Sequence, residues 1–219
     1  MSAGSRTEPD EAPADWRPTA SLGRLRLRAA LGRRLRAWFD ERDILEVETP
    51  ALSRAAATDP AIESLGLEVS GAPHYLHTSP EFPMKRLLAA GSGDIYQLCR
   101  VFRAGERGRR HSPEFTLLEY YRLGYDDRQL ADEVDQLLRH LLDGHRDLGA
   151  TRCLSYAAAL AEYAGVDAAR DPPARLAERL VAGGIDVPTA VAGDRDALLD
   201  LVLGVAIATL GSRRLQARE

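Results

Sequence analysis

Apolar residues recur at helical spacing in the first part of this chain and then give way to strand-like alternation. The helical stripe consists of Leu27, Leu31, Leu35, Trp38 and Phe39. Ser21 could cap this helix, which we expect to stop near Asp43. The next stretch, ILEVETP, changes to β-branched alternation and ends at Pro50, whose ring restricts the preceding residue to extended geometry. The pattern predicts a long helix that runs into a strand.

The following segment predicts a loop, two short strands and a short helix. AIESLGLEVSG is typical of a loop with one short strand, and HYLHTSPEFPMKRLLAAGSG is typical of a strand, a turn and a helix. Thr78, Ser79 and Pro80 are the start signal of this helix, because a hydroxyl cap followed by proline favours an N-terminus. Glu81 then has two interpretations: it compensates the helix dipole, or it takes part in chemistry.

Two longer strands are predicted in DIYQLCRVFRA and PEFTLLEYYRLGY, which together form a hairpin with an extended loop. Side chains alternate along a strand, so one face of the second strand carries Phe115, Leu117, Glu119 and Tyr121. On the first strand Cys99 and Val101 share a face, and Arg103 can reach the same surface from the loop end. The sequence therefore predicts a sheet surface that carries an arginine, an aromatic ring, a carboxylate and a phenol.

The rest of the chain is predicted to be helical. Residues 126–145 form one helix that Gly144 ends. Its apolar stripe, which we expect to lie in the core, consists of Leu130, Val134, Leu137, Leu138 and Leu141. Shorter helical pieces follow around SYAAALAEYAG and PPARLAERLVAGG. We expect a disordered tail at residues 1–20, a core domain at 21–150 and a helical remainder at 151–219.

The composition, with 45% hydrophobic and 28% charged residues, is that of an ordinary globular protein. The formal net charge of −4 argues against a surface that binds nucleic acid throughout. Cys99 and Cys153 lie far apart without metal-ligand spacing, so neither a metal site nor a disulfide framework is indicated, and a reducing cytoplasm is the expected compartment. No apolar run approaches the roughly 20 residues of a membrane span. Lys85 is the only lysine in the sequence.

Residues 102–116, FRAGERGRRHSPEFT, concentrate positive charge in a short loop. The cations are Arg103, Arg107, Arg109, Arg110 and His111. A chain avoids packing so many like charges together unless water or a polyanion receives them. The loop therefore predicts a binding site for a polyanion. No phosphate-loop, HExxH or GxSxG motif is present, which removes several common enzyme classes.

Three of these stretches resemble the motifs of class II aminoacyl-tRNA synthetase cores of the lysine type, and above all those of their paralogues, the elongation factor P β-lysine ligases. EVETP is similar to the first motif, TSPE with MKRLL to the amino-acid loop, and FRAGERGRRHSPEFTLLEYY to the second motif. The resemblance runs from about residue 16 to residue 128. It implies an α+β fold with an antiparallel sheet flanked by helices.

The resemblance also implies an ATP site on the hairpin, with Mg²⁺ accompanying the nucleotide. Arg103 matches the catalytic arginine that grips the α-phosphate, and Phe115 matches the ring on which adenine stacks. A guanidinium fork suits a phosphate better than an ammonium does. The outer phosphates would face loop cations: Arg107, Arg109, Arg110 and His111.

The second motif departs from the family pattern in its loop. Ala104 and Gly105 stand where the family has Asn-Glu, so the glutamate that reads adenine is missing. Glu106 is the candidate replacement for that glutamate. The expected ATP-binding residues therefore include Ala104, Gly105 and Glu106. Ser112 occupies a position that is usually an asparagine in contact with ATP. Loss of a charge-assisted hydrogen bond typically costs about 1.5–3 kcal/mol, so we expect weaker ATP binding.

The implied amino-acid site combines the turn with the second strand. It consists of Ser79, Pro80, Glu81, Glu119 and Tyr121. Two carboxylates suit a doubly cationic substrate, lysine or β-lysine. The resemblance implies elongation factor P as the acceptor and a homodimer formed through the first motif. About twenty residues precede the core, too few for an anticodon-binding domain, which disfavours tRNA as a partner.

The family's third motif, which holds a second catalytic arginine and the last sheet strands, is not found in this sequence. We therefore expect the C-terminal part of the sheet to be missing, and we expect the chain by itself to bind substrates without completing adenylate formation. Two other interpretations stay open. One is a non-catalytic fragment or interaction module, and the other is a tRNA-charging enzyme whose anticodon domain is supplied in trans.

Overall fold

The computed structural model describes residues 18–108 and 111–204, which divide into two compact units between Leu148 and Gly149. The helices of the first unit are α1 (Leu22–Asp40), α2 (Glu81–Ala89) and α3 (Asp127–Leu142). Its strands are β1 (Leu45–Glu46), β2 (Leu52–Ser53), β3 (Gly66–Val69), β4 (Ala72–Leu76), β5 (Ile95–Phe102) and β6 (Glu114–Tyr121). The predicted α+β class is confirmed. The predicted tail at residues 1–20 falls largely outside the described residues.

Helix α1 begins as predicted, because the Ser21 hydroxyl accepts a hydrogen bond from the backbone N–H of Arg24 at 3.3 Å. It ends at Asp40, earlier than predicted, and Asp43 has the left-handed φ of 54°, which no helical residue adopts. Near its end α1 buries Trp38 and Phe39, and the ring of Phe39 stacks on that of Tyr96 in β5 at 4.1 Å. The core of the first unit therefore lies between α1 and one face of the hairpin.

The main sheet has the order β1-β5-β6. Strands β5 and β6 form the predicted antiparallel hairpin, paired from Ile95 opposite Tyr121 to Phe102 opposite Glu114. Strand β1, predicted within ILEVETP, is only two residues long and pairs with β5 in parallel. The predicted antiparallel pairing holds for β5 and β6, and the short parallel edge strand β1 makes the sheet a mixed one. The loops and strands between β1 and β5 bring the chain back so that β5 runs in the same direction as β1.

A second, antiparallel sheet of order β2-β4-β3 lies beside the hairpin. His77, the residue after β4, connects the two sheets. Its carbonyl accepts from the backbone N–H of Phe102 at 3.0 Å, and its ring Nε2 lies 2.7 Å from the carbonyl oxygen of Arg100. These contacts place the turn at residues 78–81 against the end of β5.

Helix α3 carries the predicted apolar stripe, but only part of that stripe is core. Leu137 is buried and Leu141 packs against the same cluster. Leu130, Val134 and Leu138 are at least a third exposed, which corrects the prediction. The physical reason is that in the first unit α3 packs mainly on α1, so the neighbour covers one part of the stripe.

The second unit contains α4 (Tyr156–Ala164), α5 (Pro173–Ala182) and a helical segment at residues 195–204. The helices predicted around SYAAALAEYAG and PPARLAERLVAGG are confirmed. Their buried side chains form one cluster: Leu160, Val166, Leu176, Leu180, Leu198, Leu199 and Val202. Gly165 ends α4 with φ 64°, a left-handed conformation that glycine adopts without strain.

Candidate functional site

Arg103 stands at the point where β5 ends and the hairpin loop begins. Its backbone N–H donates to the carbonyl of Pro113 at 2.9 Å, which closes the loop. Its side chain is a quarter exposed, and three groups surround it. The Nε atom lies 3.3 Å from the Thr78 carbonyl, Nη1 lies 3.7 Å from Glu106, and the guanidinium carbon lies 5.1 Å from the centre of the Phe115 ring.

These contacts hold the Arg103 guanidinium loosely rather than saturating it. By comparison, Arg152 in the second unit makes two hydrogen bonds of 2.8 Å to Glu162. The contact with the Glu106 carboxylate, at 3.7 Å, is too long for a hydrogen bond, so the Arg103 guanidinium can still give its N–H groups to an incoming anion. The structure therefore brings Arg103 and Phe115 together, as the alternation along the strands predicted.

Glu119 forms the centre of a second cluster, on the same face of the hairpin. The Ser79 hydroxyl donates to Oε2 of Glu119 at 2.5 Å, and the Tyr121 hydroxyl donates to Oε1 at 2.6 Å. Burial and the hydrogen bond with Glu119 raise the pKa of Tyr121 well above its ordinary value. The phenol therefore keeps its proton at neutral pH and stays a donor. Both carboxylate oxygens of Glu119 are therefore fixed in position by hydroxyl donors.

Glu81 reaches this cluster from the start of α2. Its backbone N–H donates to the Ser79 hydroxyl at 3.1 Å, so Ser79 connects the helix to Glu119. Its side chain pairs with Lys85, one helical turn later, at 2.5 Å. The predicted helix start is corrected in one respect: Pro80, which is buried, occupies the cap position and not the first helical position. The hydroxyl of Ser79, the preceding residue, accepts from the Glu81 backbone N–H and donates to Glu119.

Gln97 belongs to the same surface, and sequence reasoning missed it. It lies opposite Glu119 in the strand pair and is only 3% exposed. Its Oε1 accepts from the hydroxyl of Thr49 at 3.0 Å, in the EVETP stretch. Burial raises the pKa of the neighbouring Cys99 thiol, and a hydrogen bond from the Gln97 side chain acts in the opposite direction. The alternation that put Cys99 on this face also includes residue 97, so the signal was present.

Backbone hydrogen bonds connect the described residues of the hairpin loop beyond Glu106. Gly108 and His111 form an isolated antiparallel bridge, with backbone hydrogen bonds of 3.2 Å in both directions. Arg107, His111 and Ser112 are exposed. Arg109 and Arg110, predicted to face the outer phosphates, lie outside the described residues. Their roles, like those of the other loop residues, stay predictions.

Ala104 and Gly105 form the turn that follows Arg103. The backbone N–H of Ala104 donates to the carbonyl of Glu63 at 2.8 Å. Gly105 has φ 76°, and a Cβ added there would meet no atom within 4 Å. A side chain at position 105 would have room but would strain the backbone. Glu106, the candidate replacement for the missing glutamate, lies against Arg103, so binding adenine would require it to leave that partner.

Two further findings, on metal ligands and on membrane spans, apply to residues 18–108 and 111–204. That part of the chain contains no group of three or more His, Cys, Asp or Glu side chains placed to hold a metal ion. None of its helices is long and apolar enough to cross a membrane.

Comparison with known proteins gives a consistent result. The family model of class II tRNA synthetases (D, K and N) matches residues 6–180. Proteins named elongation factor P–(R)-β-lysine ligase are similar: those of Sodalis glossinidius (strain morsitans) and Vibrio cholerae serotype O1 are 42% identical over 89% of this chain. The one from Erwinia tasmaniensis is 44% identical over 88% of it. The matched region spans 60% of the length of each of these relatives.

Proposed function

This chain belongs to the family of class II tRNA synthetases (D, K and N), and from that premise we propose that it is part of an ATP-dependent ligase. The proposed ligase activates lysine or β-lysine and transfers it to a lysine of elongation factor P; the relatives are named (R)-β-lysine ligases of elongation factor P. The observation that carries this proposal is that Glu119 accepts hydrogen bonds from two hydroxyl groups. It does so on the same strand face as Phe115, the ring that lies beside Arg103.

The arrangement supports a substrate that lies along the strand. Phe115 and Glu119 are four residues apart in β6, which corresponds to about 13 Å. Arg103 stands at one end, where phosphate would bind, and Glu119 at the other, where a cation would bind. Between them Leu117 shares the face and offers apolar contact. Lysine has a matching order of groups: a carboxylate, an aliphatic chain and a terminal ammonium.

The residues at the loop end fit a nucleotide. ATP supplies the α-phosphorus that the substrate carboxylate attacks, and pyrophosphate leaves as that bond forms. Arg103 would meet the charge that builds on the phosphate oxygens, and the ring of Phe115 would stack on adenine. Glu81 and Glu119 would hold the amino groups. Mg²⁺ would arrive with the phosphates, which are the oxygen ligands it prefers.

A homodimer through the first motif is part of the proposal. It is supported by apolar side chains that α1 and β1 leave at least two-fifths exposed: Leu22, Leu25, Leu27 and Leu45. Elongation factor P, and not tRNA, is the proposed acceptor, because the relatives are named for that acceptor. Such a reaction on a translation factor would take place in the cytoplasm.

Binding measurements test this function directly. Titration calorimetry with MgATP should show binding that Arg103→Ala abolishes, and unchanged affinity in the variant would remove the ATP site from consideration. Thermal shift with lysine, β-lysine and leucine should show stabilisation by the two diamines alone. Equal shifts from all three ligands would refute the amino-acid pocket. Transfer assays with elongation factor P and with tRNA as alternative acceptors then decide the acceptor.

A further inference from the structure

The only lysine of the chain lies at the proposed amino-acid pocket. Lys85 is on α2, and its Nζ lies 2.5 Å from Oε1 of Glu81. Glu81 precedes Lys85 by four residues, the favourable order for an ion pair on a helix. Both side chains are about half exposed, 54% for Lys85 and 46% for Glu81. The pair is therefore accessible to a ligand, and it is weak enough to exchange partners.

The two carboxylates of the pocket are held in different ways. Glu119 receives hydrogen bonds from two hydroxyl groups, Ser79 and Tyr121, which fix its position without cancelling its charge. Glu81 has an ammonium partner, which balances its charge. A ligand amine that approaches Glu119 meets an available anion. A ligand amine that approaches Glu81 has to compete with Lys85.

The order of groups along the site indicates which amine meets which carboxylate. The turn that carries Glu81 also carries Thr78, whose carbonyl contacts Arg103, so Glu81 belongs to the side where the reacting carboxylate would lie. Glu119 lies further along β6, in the direction of Tyr121. The terminal ammonium of lysine therefore goes to Glu119, and the amine beside the carboxylate goes to Glu81.

We propose that Lys85 is a specificity-determining residue that holds Glu81 until the amine beside the substrate carboxylate displaces it. The inference rests on the proposed function, since it concerns the same pocket. Lys85 occupies Glu81 when that amine is absent, and a ligand gains the contact with Glu81 only if its amine displaces Lys85. α-Lysine and β-lysine carry this amine on different carbons, so they differ in how readily they displace Lys85 from Glu81. This difference contributes to the selection between the two substrates.

Substitution of Lys85 tests the competition. Lys85→Met should strengthen the binding of lysine and of β-lysine by about three- to five-fold, the change expected when a half-exposed ion pair no longer competes, and the ratio of the two affinities should differ from that of wild type. The binding of 6-aminohexanoate, which has the terminal amine but none beside the carboxylate, should stay within two-fold of wild type. Arg86→Met, which removes the adjacent exposed charge on α2, is the matched control and should leave all three affinities unchanged. Lys85→Arg should restore the wild-type values.

A direct signal is available because the sequence contains one lysine. Protein labelled with ¹³C,¹⁵N-lysine gives a single Cε–Nζ resonance, which should shift when lysine or β-lysine binds and stay in place with 6-aminohexanoate. The measurement compares the wild-type chain with and without ligand. It therefore stays informative even if a substituted variant folds poorly.

The outcomes separate the two proposals. If wild-type chain binds lysine no better than leucine, the proposed pocket fails, and this inference fails with it. If wild-type chain prefers lysine, but Lys85→Met behaves like Arg86→Met and the Lys85 resonance does not respond, the pocket stands and the role of Lys85 is refuted.

Discussion

Replacement of Glu119 by glutamine should remove diamine recognition while the fold stays intact. The two side chains have nearly the same shape, but one carboxylate oxygen becomes an amide NH₂, which donates and cannot accept. In the structure both oxygens accept, one from Ser79 at 2.5 Å and one from Tyr121 at 2.6 Å. One hydroxyl therefore loses its acceptor in Glu119→Gln, and the pocket loses the charge that would face a ligand ammonium.

The magnitude follows from the kind of bond that is lost. A hydrogen bond to a charged group contributes about 1.5–3 kcal/mol, so lysine should bind about 10- to 100-fold more weakly. Leucine brings no side-chain ammonium, and its weak binding should change by less than about two-fold. The hydroxyl left without an acceptor is partly buried, and we expect the free energy of unfolding to fall by about 1 kcal/mol.

Titration calorimetry with lysine and leucine, together with urea unfolding, measures both effects. Glu114→Gln is the matched control, because Glu114 lies on the same strand but on the opposite face, in an exposed ion pair with Arg100. It should leave lysine binding unchanged. The reasoning is refuted if Glu119→Gln weakens lysine and leucine binding by the same factor, or if Glu114→Gln has the same effect as Glu119→Gln.

Three further predictions follow from the described contacts. Arg103→Lys should weaken MgATP binding at least about tenfold although the charge is kept, because an ammonium cannot reproduce the guanidinium fork; equal affinity by calorimetry would contradict this. Gln97→Met should lower the free energy of unfolding by about 1–2 kcal/mol and weaken lysine binding, because the Thr49 hydroxyl loses its acceptor; urea unfolding that matches wild type would contradict this. Burial raises the pKa of Tyr96 and of Tyr120 to about 12 from 10.0, so the folded chain holds these protons more tightly than the unfolded chain. Their contribution is complete below pH 10 and is lost as the pH rises towards 12, by up to about 1.4 kcal/mol per pH unit for each tyrosine. Urea unfolding at pH 8, 10 and 11 measures it, and constant stability would disprove it.

The hairpin could be predicted from the sequence because its surface depends on local rules. Alternation along a strand assigns side chains to faces, and antiparallel pairing then brings the faces of two strands together. Arg103, Phe115, Glu119 and Tyr121 were placed on one surface in this way. The functions of these residues stay predictions, since their positions alone do not establish what they bind.

Features that depend on distant parts of the chain were beyond such rules. The parallel pairing of β1 depends on how the chain returns through the second sheet. Which part of the α3 stripe is exposed depends on the neighbours that cover the helix. The apolar pattern alone does not show where those neighbours lie. Gln97 was missed for another reason. A neutral amide on a predicted strand does not indicate a functional role until its burial and its partner Thr49 are known.

The ion pair between Lys85 and Glu81 also decides how this protein can be attached to surfaces. Amine-reactive coupling is the common way to fix a protein on a biosensor chip, and among the side chains of this sequence only Lys85 offers an amine. Every molecule tethered through Lys85 would carry the linker at the mouth of the proposed pocket, with Glu81 stripped of its partner. Sensor data from such a surface would describe an altered site, and a tether at the exposed thiol of Cys153 in the second unit avoids this.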